Sequence, residues 1–323
     1  MIVLTGGGGF IGSAVVWMLN KRGFENILVV DEQKQVDTYK NLANLRYSDY
    51  LNKGSFIEKL EESIFDKRIG GIIHLGACSD TTERDEDYLM DNNCEYTKKL
   101  ALWAVRNKKR FVYASSAATY GMGNNGFSDD QSKLKYLKPL NLYGRSKHCF
   151  DLWALENGYL DEIAGLKYFN VFGPNEYHKG NMRSMVLKSF EQIQESGKVK
   201  LFKSNNSDYG DGEQARDFIY VKDVVKMTLF IYDNPKANGI INIGTGIARS
   251  FNNLAIAVFH SMDKKPGIEY IEMPENLRQQ YQSYTQADIT KLRTSGYSER
   301  INRLEEGIAD YVRNYLLKAS AHL

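Results

Sequence analysis

Cysteine, histidine, long apolar runs and excess charge are all scarce in this chain, and each scarcity removes a class of function. The three cysteines, Cys78, Cys94 and Cys149, are odd in number and widely spaced. They build neither a disulfide framework nor a CxxC metal or redox pair, which points to a reducing, cytoplasmic compartment. Five scattered histidines offer no metal-ligand spacing, so no metal site is expected. No run of about 18 apolar residues exists to span a membrane. The apolar start, MIVLTGGGGFIGS, has no basic leader and carries five glycines, unlike a signal peptide. Lysine plus arginine is 42 against 40 acidic residues, a net charge of +2. That balance lacks the footprint of a nucleic-acid or membrane-surface binder, while a local basic pocket for one small anion stays open. There is no Walker lysine, no GxSxG elbow, no low-complexity tract and no internal repeat.

What is present is an ordinary globular composition, 42% apolar and 25% charged, over 323 residues, or about two domains at roughly 150 residues each. Short apolar runs at Ile2–Thr5, Ile27–Asp31, Gly71–Leu75, Phe111–Ser115, Gly165–Phe169 and Ile240–Ile243 alternate with helical patterns such as Ile11–Lys21 and Asp87–Arg106. This alternation predicts an α/β fold, a doubly wound parallel sheet covered on both faces. After about Pro174 the alternation becomes irregular, with polar loops such as Ser204–Gln214. The doubly wound domain is therefore expected over 1–174 with returning segments near 215–250, and a smaller, interleaved substrate domain over 175–323.

The first apolar run passes into Thr5-Gly6-Gly7-Gly8-Gly9-Phe10-Ile11-Gly12-Ser13 and then into a helical pattern. Such a turn lets backbone N–H groups approach a pyrophosphate at a helix N-terminus, although a glycine cluster alone is equally compatible with a plain tight turn. Asp31, closing the next run about 20 residues on, is placed to accept from an adenosine ribose hydroxyl and favours a dinucleotide.

In Tyr143-Gly144-Arg145-Ser146-Lys147 the tyrosine and lysine share a helix face. An ammonium there would lower a phenol pKa that starts near 10 and fit the tyrosine for general acid/base work. The spacing alone says little, since Tyr232 and Lys236 repeat it with Pro235 between them. Tyr143 stands out by its distance after Tyr113-Ala114-Ser115-Ser116, a strand end whose hydroxyls either bond a substrate oxygen or cap the next turn.

Longer segments surround these features: HLGACSDTTE from His74, MDNN from Met90, YASSAATYG from Tyr113, PLNLYGRSK from Pro139, KYFNVFGPNEYHKG from Lys167, ARDFIYVKDV from Ala215, NIGTG from Asn242 and YTQAD from Tyr284. With TGGGGFIGS they run nearly end to end, and the chain resembles the extended short-chain dehydrogenase/reductases, the NAD-dependent epimerase/dehydratase family. The glycine turn and Tyr-x-x-x-Lys are common to that family. GACSDTTE, SSAATYG, the HKG loop and YTQAD resemble its branch acting on an ADP-linked heptose. The resemblance implies a cytoplasmic isomerase, a homo-oligomer and specifically a pentamer. It would invert carbon 6 of a nucleotide-linked heptose through a transient ketone, with bound NADP or alternatively NAD, for lipopolysaccharide core synthesis.

Inversion needs two acid/base groups, one for each orientation of the intermediate. By resemblance these are Tyr143 and Lys179, with Lys147 tuning Tyr143 and Ser116 holding the sugar oxygen. Read by itself, Lys179 in Tyr177-His178-Lys179-Gly180 is a solvated loop lysine, and His178 is expected to position the loop. The resemblance places the cofactor on Gly6, Gly9, Phe10, Ile11, Gly12, Asp31, Glu32, Lys53, Leu75, Gly76, Ala77, Cys78, Ser79, Asn92, Lys147, Val171 and Lys179. It places the nucleotide sugar on Ser116, Asn170, Asn181, Lys188, Phe202, Lys203, Ser204, Asn205, Arg216 and Tyr281. Other readings stay open for some of these. Arg216 suits a diphosphate or pairs locally with Asp217; Phe202 and Tyr281 stack adenine or pack in the core; Asn92 meets the cofactor or caps a turn.

The chain departs from the family pattern at the cofactor phosphate. An Asp-Asn pair and a nearby lysine are usual there, but this chain has Asp31-Glu32 and Thr38, leaving Lys53, Lys34 or Lys40 to meet a ribose phosphate. The extra carboxylate repels that phosphate and keeps NAD in view. Asn181 stands where serine is usual, Lys188 where histidine is, and Ser204–Ala215 is longer than the family's segment. Among rivals, a 4,6-dehydratase would want an acidic pair where Ala117 and Ala118 stand, and a fucose-synthase-like enzyme a cysteine after Ser116. A 4-epimerase shares the serine and Tyr-x-x-x-Lys chemistry. A non-catalytic dinucleotide sensor would be expected to have lost the tyrosine or the lysine.

Overall fold

Near-continuous apolar runs become strands where both faces of a sheet are covered. A computed structural model describes residues 1–32, 36–65, 67–278, 281–318 and 321–323. Its main sheet holds seven parallel strands: β1 (Ile2–Thr5), β2 (Ile27–Asp31), β3 (Asp49–Asn52), β4 (Gly71–His74), β5 (Arg110–Ser116), β6 (Ala164–Tyr168) and β7 (Gly239–Ile243). Their order is β7-β6-β5-β4-β1-β2-β3. Alternate residues serve opposite faces, as the pleat requires. Ile2, Leu4, Ile27 and Val29 pack with Ala14, Val15 and Leu19 of the helix Phe10–Lys21. Val3, Leu28, Val30 and Ile72 pack with Phe56, Leu100, Ala101 and Phe150 on the other side. The chain leaves β1 toward β2 but leaves β4 toward β5, and this reversal opens a crevice at the strands' carboxyl ends, the usual ligand position in such sheets.

Two elements differ from the sequence reading. Strand β3 matches no apolar run because it is an edge: Asp49-Tyr50-Leu51-Asn52 pairs with β2 alone and is exposed at both ends. The helix expected over Asp87–Arg106 is a short helix, Glu86–Leu89, a π-helical turn, Met90–Glu95, and a helix, Tyr96–Arg106. The π turn has a structural use. Asn93 within it clasps the loop after β4, accepting from Cys78 N at 2.9 Å and donating to Cys78 O at 3.0 Å, and it also donates to Ser146 Oγ at 3.0 Å.

From Asn170 onward three two-stranded pairs form outside the main sheet. Asn170–Phe172 lies beside Phe218–Tyr220, Ala215–Arg216 beside Arg249–Ser250, and Val199–Phe202 beside Ile268–Ile271. Asp217 binds this region together. Its buried carboxylate accepts from Thr245 N (2.8 Å), Thr245 Oγ1 (2.7 Å), Gly246 N (2.9 Å) and Ala287 N (3.0 Å). That cluster gives the NIGTG and YTQAD motifs a common structural role, since their backbones meet at one carboxylate. Among the described residues no helix is long and apolar enough to cross a membrane.

Candidate active site

The crevice is built on close backbone approach. Gly6 has φ of +68°, and a Cβ there would come within 2.6 Å of Gly76 N; a Cβ at Gly12 would collide with Gly6 O. The glycines thus let the turn after β1, the loop after β4 and the helix Phe10–Lys21 converge. That helix starts without a side-chain cap at Gly9, and its first residues line the crevice. At the end of β2, Asp31 accepts from Gly8 N and Glu32 N, both at 2.8 Å. Burial pushes its pKa up while those N–H bonds oppose the shift. Uncapped helix N–H groups, bare glycine backbone and a ribose-height carboxylate fit a dinucleotide.

The resulting cleft has a volume of about 760 Å³. Of the expected cofactor residues, Gly6, Gly9, Phe10, Ile11, Gly12, Asp31, Glu32, Leu75, Gly76, Ala77, Cys78, Ser79, Lys147, Val171 and Lys179 line it. Lys53 and Asn92 border an adjoining pocket with Asp31 and Glu32. Lys53 is already committed there, pairing with the Glu32 carboxylate and donating to Asn92 Oδ1 at 2.6 Å. A ribose phosphate would therefore compete with Glu32 for Lys53, and Asn92 accepts from that lysine. Thr38 lines the cleft, Lys40 is exposed, and Lys34 lies outside the described residues.

Tyr143 is the second residue of the helix Leu142–Glu156, which Asn141 caps by accepting from Gly144 N at 2.7 Å. Its phenol lies beside Ser116, whose hydroxyl accepts from Ala118 N at 3.1 Å. Ser116 therefore both caps the turn and lies beside the Tyr143 phenol. Ser115 does neither, donating at 2.7 Å to buried Asp151, which also receives Tyr113 OH at 2.9 Å and lies 3.0 Å from Lys167 Nζ. Lys147 is 3% exposed and donates to Ala114 O at 2.8 Å. Burial pushes its pKa down to about 8, with Asp151 opposing. Burial also raises the Tyr143 pKa, with the Ser116 bond opposing. The Lys147 ammonium itself is directed at a backbone carbonyl at the end of β5.

Lys179 is not a solvated loop lysine. It lies in the turn Tyr177–Met182, lines the same cleft as Tyr143, and stands 5.4 Å from the centre of the Phe10 ring. Burial lowers its pKa and Glu176 opposes the shift. Glu176, which the sequence reading did not single out, is the anchor of this loop. It is 1% exposed and accepts from Gly173 N at 3.2 Å and Ser184 Oγ at 2.7 Å, while its carbonyl accepts from Lys179 N at 3.1 Å. Its only sequence signal is a carboxylate three positions before the lysine. His178 positions the loop as expected: its Nδ1 is 3.3 Å from Asn41 Nδ2, and that amide also donates to Gly8 O at 3.0 Å.

The expected sugar-nucleotide residues divide. Ser116 and Asn170 line the cleft. Asn181, Lys188, Lys203, Ser204 and Asn205 lie outside its lining and are engaged locally. Lys188 donates to Asn181 O at 2.7 Å, Lys203 pairs with Glu272 at 2.8 Å, Ser204 Oγ donates to Asn206 O at 2.7 Å, and Asn205 donates to Arg278 O at 3.2 Å. Arg216 has no ion pair with Asp217, which is occupied elsewhere. Arg216 is 7% exposed, and its guanidinium lies 5.2 Å from the Tyr281 ring and 5.7 Å from that of Phe251, a cleft residue. Phe202 meets Tyr281 edge-on at 6.1 Å. Burial lowers the Arg216 pKa, and no carboxylate lies at ion-pair distance among the described residues, so its charge suits an anionic ligand. No three histidine, cysteine or carboxylate side chains among the described residues come together as a metal site.

Comparison with known proteins agrees with this geometry. The model of the NAD-dependent epimerase/dehydratase family matches residues 2–244. The ADP-L-glycero-D-manno-heptose-6-epimerase of Nitratidesulfovibrio vulgaris is 51% identical over 323 residues, all of both chains. That of Fusobacterium nucleatum is 48% identical, again over the whole of each. The crystal structure of the Helicobacter pylori enzyme of the same name is 28% identical and superposes with a TM-score of 0.78 over 97% of this chain and 95% of that one. The chain belongs to the NAD-dependent epimerase/dehydratase family, as an enzyme whose cofactor is a nicotinamide dinucleotide.

Proposed function

We propose that the protein converts ADP-D-glycero-D-manno-heptose to ADP-L-glycero-D-manno-heptose in the cytoplasm, supplying heptose for the lipopolysaccharide core. The observation that carries this reading is the meeting of two proton-transfer groups from separate segments, Tyr143 and Lys179, in one cleft built for a dinucleotide. Bound on the glycine turn, Asp31 and the loop 75–79, the dinucleotide supplies reversible hydride acceptance. Tyr143 removes the proton of the sugar hydroxyl while Ser116 holds its oxygen. After the ketone turns its other face, Lys179 returns a proton to that oxygen, with a pKa that burial has already moved toward working pH. Arg216 neutralises the diphosphate, and Tyr281 with Phe202 flanks the base, while Asn170, Asn181, Lys188 and Lys203–Asn205 complete the sugar-nucleotide contacts from a substrate domain over 175–323. The assembly is a homo-oligomer, by family resemblance a pentamer.

The experiment is to offer the purified protein ADP-D-glycero-D-manno-heptose and, separately, UDP-galactose, following the sugar stereocentres by NMR. Inversion at carbon 6 of the heptose alone is expected. Inversion at carbon 4 of the UDP sugar, or no turnover of either, contradicts the proposal.

For the ribose phosphate we assign NADP, with Lys53 as its counter-charge. NAD is the second reading, favoured by one observation: Lys53 is paired with Glu32, so a 2′-phosphate must draw it away and leave a carboxylate beside a dianion. Glu32→Ala is expected to move the NADP/NAD affinity ratio at least about tenfold toward NADP. A ratio that stays constant, measured by titration calorimetry, shows that the pair does not govern the choice.

A further inference from the structure

The loop that carries Lys179 and the turn that receives the cofactor come from distant parts of the chain, and one buried amide joins them. Asn41, near the end of the helix Val36–Leu42, is 1% exposed. Its Nδ2 donates to Gly8 O in the glycine turn at 3.0 Å and to Asn175 O, four residues before Lys179, at 3.2 Å. The same nitrogen is 3.3 Å from His178 Nδ1, and its Oδ1 is 3.0 Å from Nδ1 of His322. With two N–H donors and one carbonyl, the amide meets the cofactor turn, the lysine loop and His322 at once. We propose that Asn41 is a positioning residue for the reaction, a strut that ties the Lys179 loop to the cofactor turn and so holds Lys179 in place against the bound dinucleotide.

A second amide reinforces the strut. Asn175 is fully buried with φ of +78°, a left-handed conformation that asparagine adopts more readily than most residues. Its Nδ2 donates to Ser13 Oγ at 2.9 Å, and its Oδ1 accepts from Leu323 N at 3.0 Å. Ser13 Oγ in turn donates to Gly9 O at 2.8 Å. A peptide group is planar, so a bond on Gly9 O also fixes the Phe10 N–H on its other edge, one of the uncapped donors that open the helix Phe10–Lys21. Tyr177 OH donates to Ala321 O at 2.5 Å, and the His322 ring stands edge-on to Tyr177 at 5.1 Å, which binds the loop to residues 321–323 as well.

Lys179 stands 5.4 Å from the Phe10 ring, so a loop that slackens carries the lysine away from the start of the cofactor helix. Without the Asn41 amide, two buried carbonyls on opposite sides of that gap lose their donor, and the loop relaxes to find others. The role assigned to Asn41 rests on the reading of Lys179 as the second acid/base group. A displacement of about 1 Å at a reacting group costs about 10²-fold, so Asn41→Ala is expected to slow net inversion by about tenfold to 10²-fold. The loss should be selective: oxidation of the epimer that depends on Lys179 slows, and oxidation of the epimer that depends on Tyr143 stays within about threefold.

The test compares the unsubstituted, Asn41→Ala and Lys179→Met enzymes, all loaded with dinucleotide. It reads the nicotinamide absorbance in a single turnover with each epimer, and amide hydrogen exchange by mass spectrometry. Faster exchange over residues 175–183, unaltered exchange over Leu142–Glu156, and a loss confined to the epimer that Lys179→Met also loses are expected. Asn41→Asp keeps the shape and the oxygen that faces His322 but lacks the N–H donors. It should behave as Asn41→Ala does, and it takes the place of that variant if alanine prevents folding. Unchanged exchange over 175–183, or equal slowing of both epimers where Lys179→Met is selective, overturns the proposal. If Lys179→Met itself slows both epimers equally, the acid/base reading of Lys179 fails, and the exchange alone decides whether Asn41 holds the loop.

Discussion

Tyr143→Phe should lower the rate of inversion by about 10²- to 10⁴-fold, the range over which a positioned acid/base group acts, and leave dinucleotide affinity within about threefold. Phenylalanine keeps the ring that packs at the start of the helix Leu142–Glu156 and removes only the hydroxyl that meets Ser116. Steady-state kinetics with a separate binding titration checks this, and an enzyme that turns over at the full rate without the hydroxyl removes Tyr143 from the chemistry. Lys147 adds a pH signature. Its folded pKa, about 8, lies below its unfolded value, so it is a cation below that pH and neutral above it. If the reaction uses the ammonium, turnover declines as the pH rises through about 8. The stability contribution of Lys147 has the opposite sign. The depressed pKa means that the folded state binds fewer protons, so this contribution grows as the pH rises from about 8 toward the unfolded pKa. A decline in rate without a fall in melting temperature over that window separates loss of the charge from loss of the fold.

Lys179→Met should abolish net inversion, by about 10²-fold or more, while one epimer can still be oxidised in a single turnover. In the proposed mechanism Tyr143 serves one orientation of the sugar and Lys179 the other, so removing one group spares the half-reaction that uses its counterpart. Methionine matches the lysine stem and eliminates a cation that burial already disfavours, so the loop held by Glu176 should keep its shape. The measurement is the nicotinamide absorbance change with each epimer in turn. Equal loss from both would make Lys179 a binding or structural lysine.

How legible these groups were follows from how local their signals are. The glycine turn announces itself because Gly6 and Gly12 meet contacts that a Cβ would prevent, and a run of glycine is visible in sequence. Six strands are visible because burial on both faces demands unbroken apolar runs; β3 is not, because an edge strand escapes that demand. Ser115 and Ser116 are adjacent and chemically identical, yet one feeds Asp151 and the other Tyr143, since neighbouring residues of a strand point to opposite faces. Glu176 has no distinguishing spacing at all.

The sequence by itself determined the α/β class, the strand–turn–helix that opens the chain, the carboxylate closing β2 and the Tyr143–Lys147 helix face. Each of these rests on composition or on periods of a few residues. Only the tertiary structure decided that Lys53 answers Glu32, that Lys147 turns to Ala114 O, and that Lys179 enters the cleft with Tyr143. These are contacts between segments far apart along the chain. Their partners are chosen by how the sheet order and the helix packing bring those segments together, and no local pattern of residues records that choice.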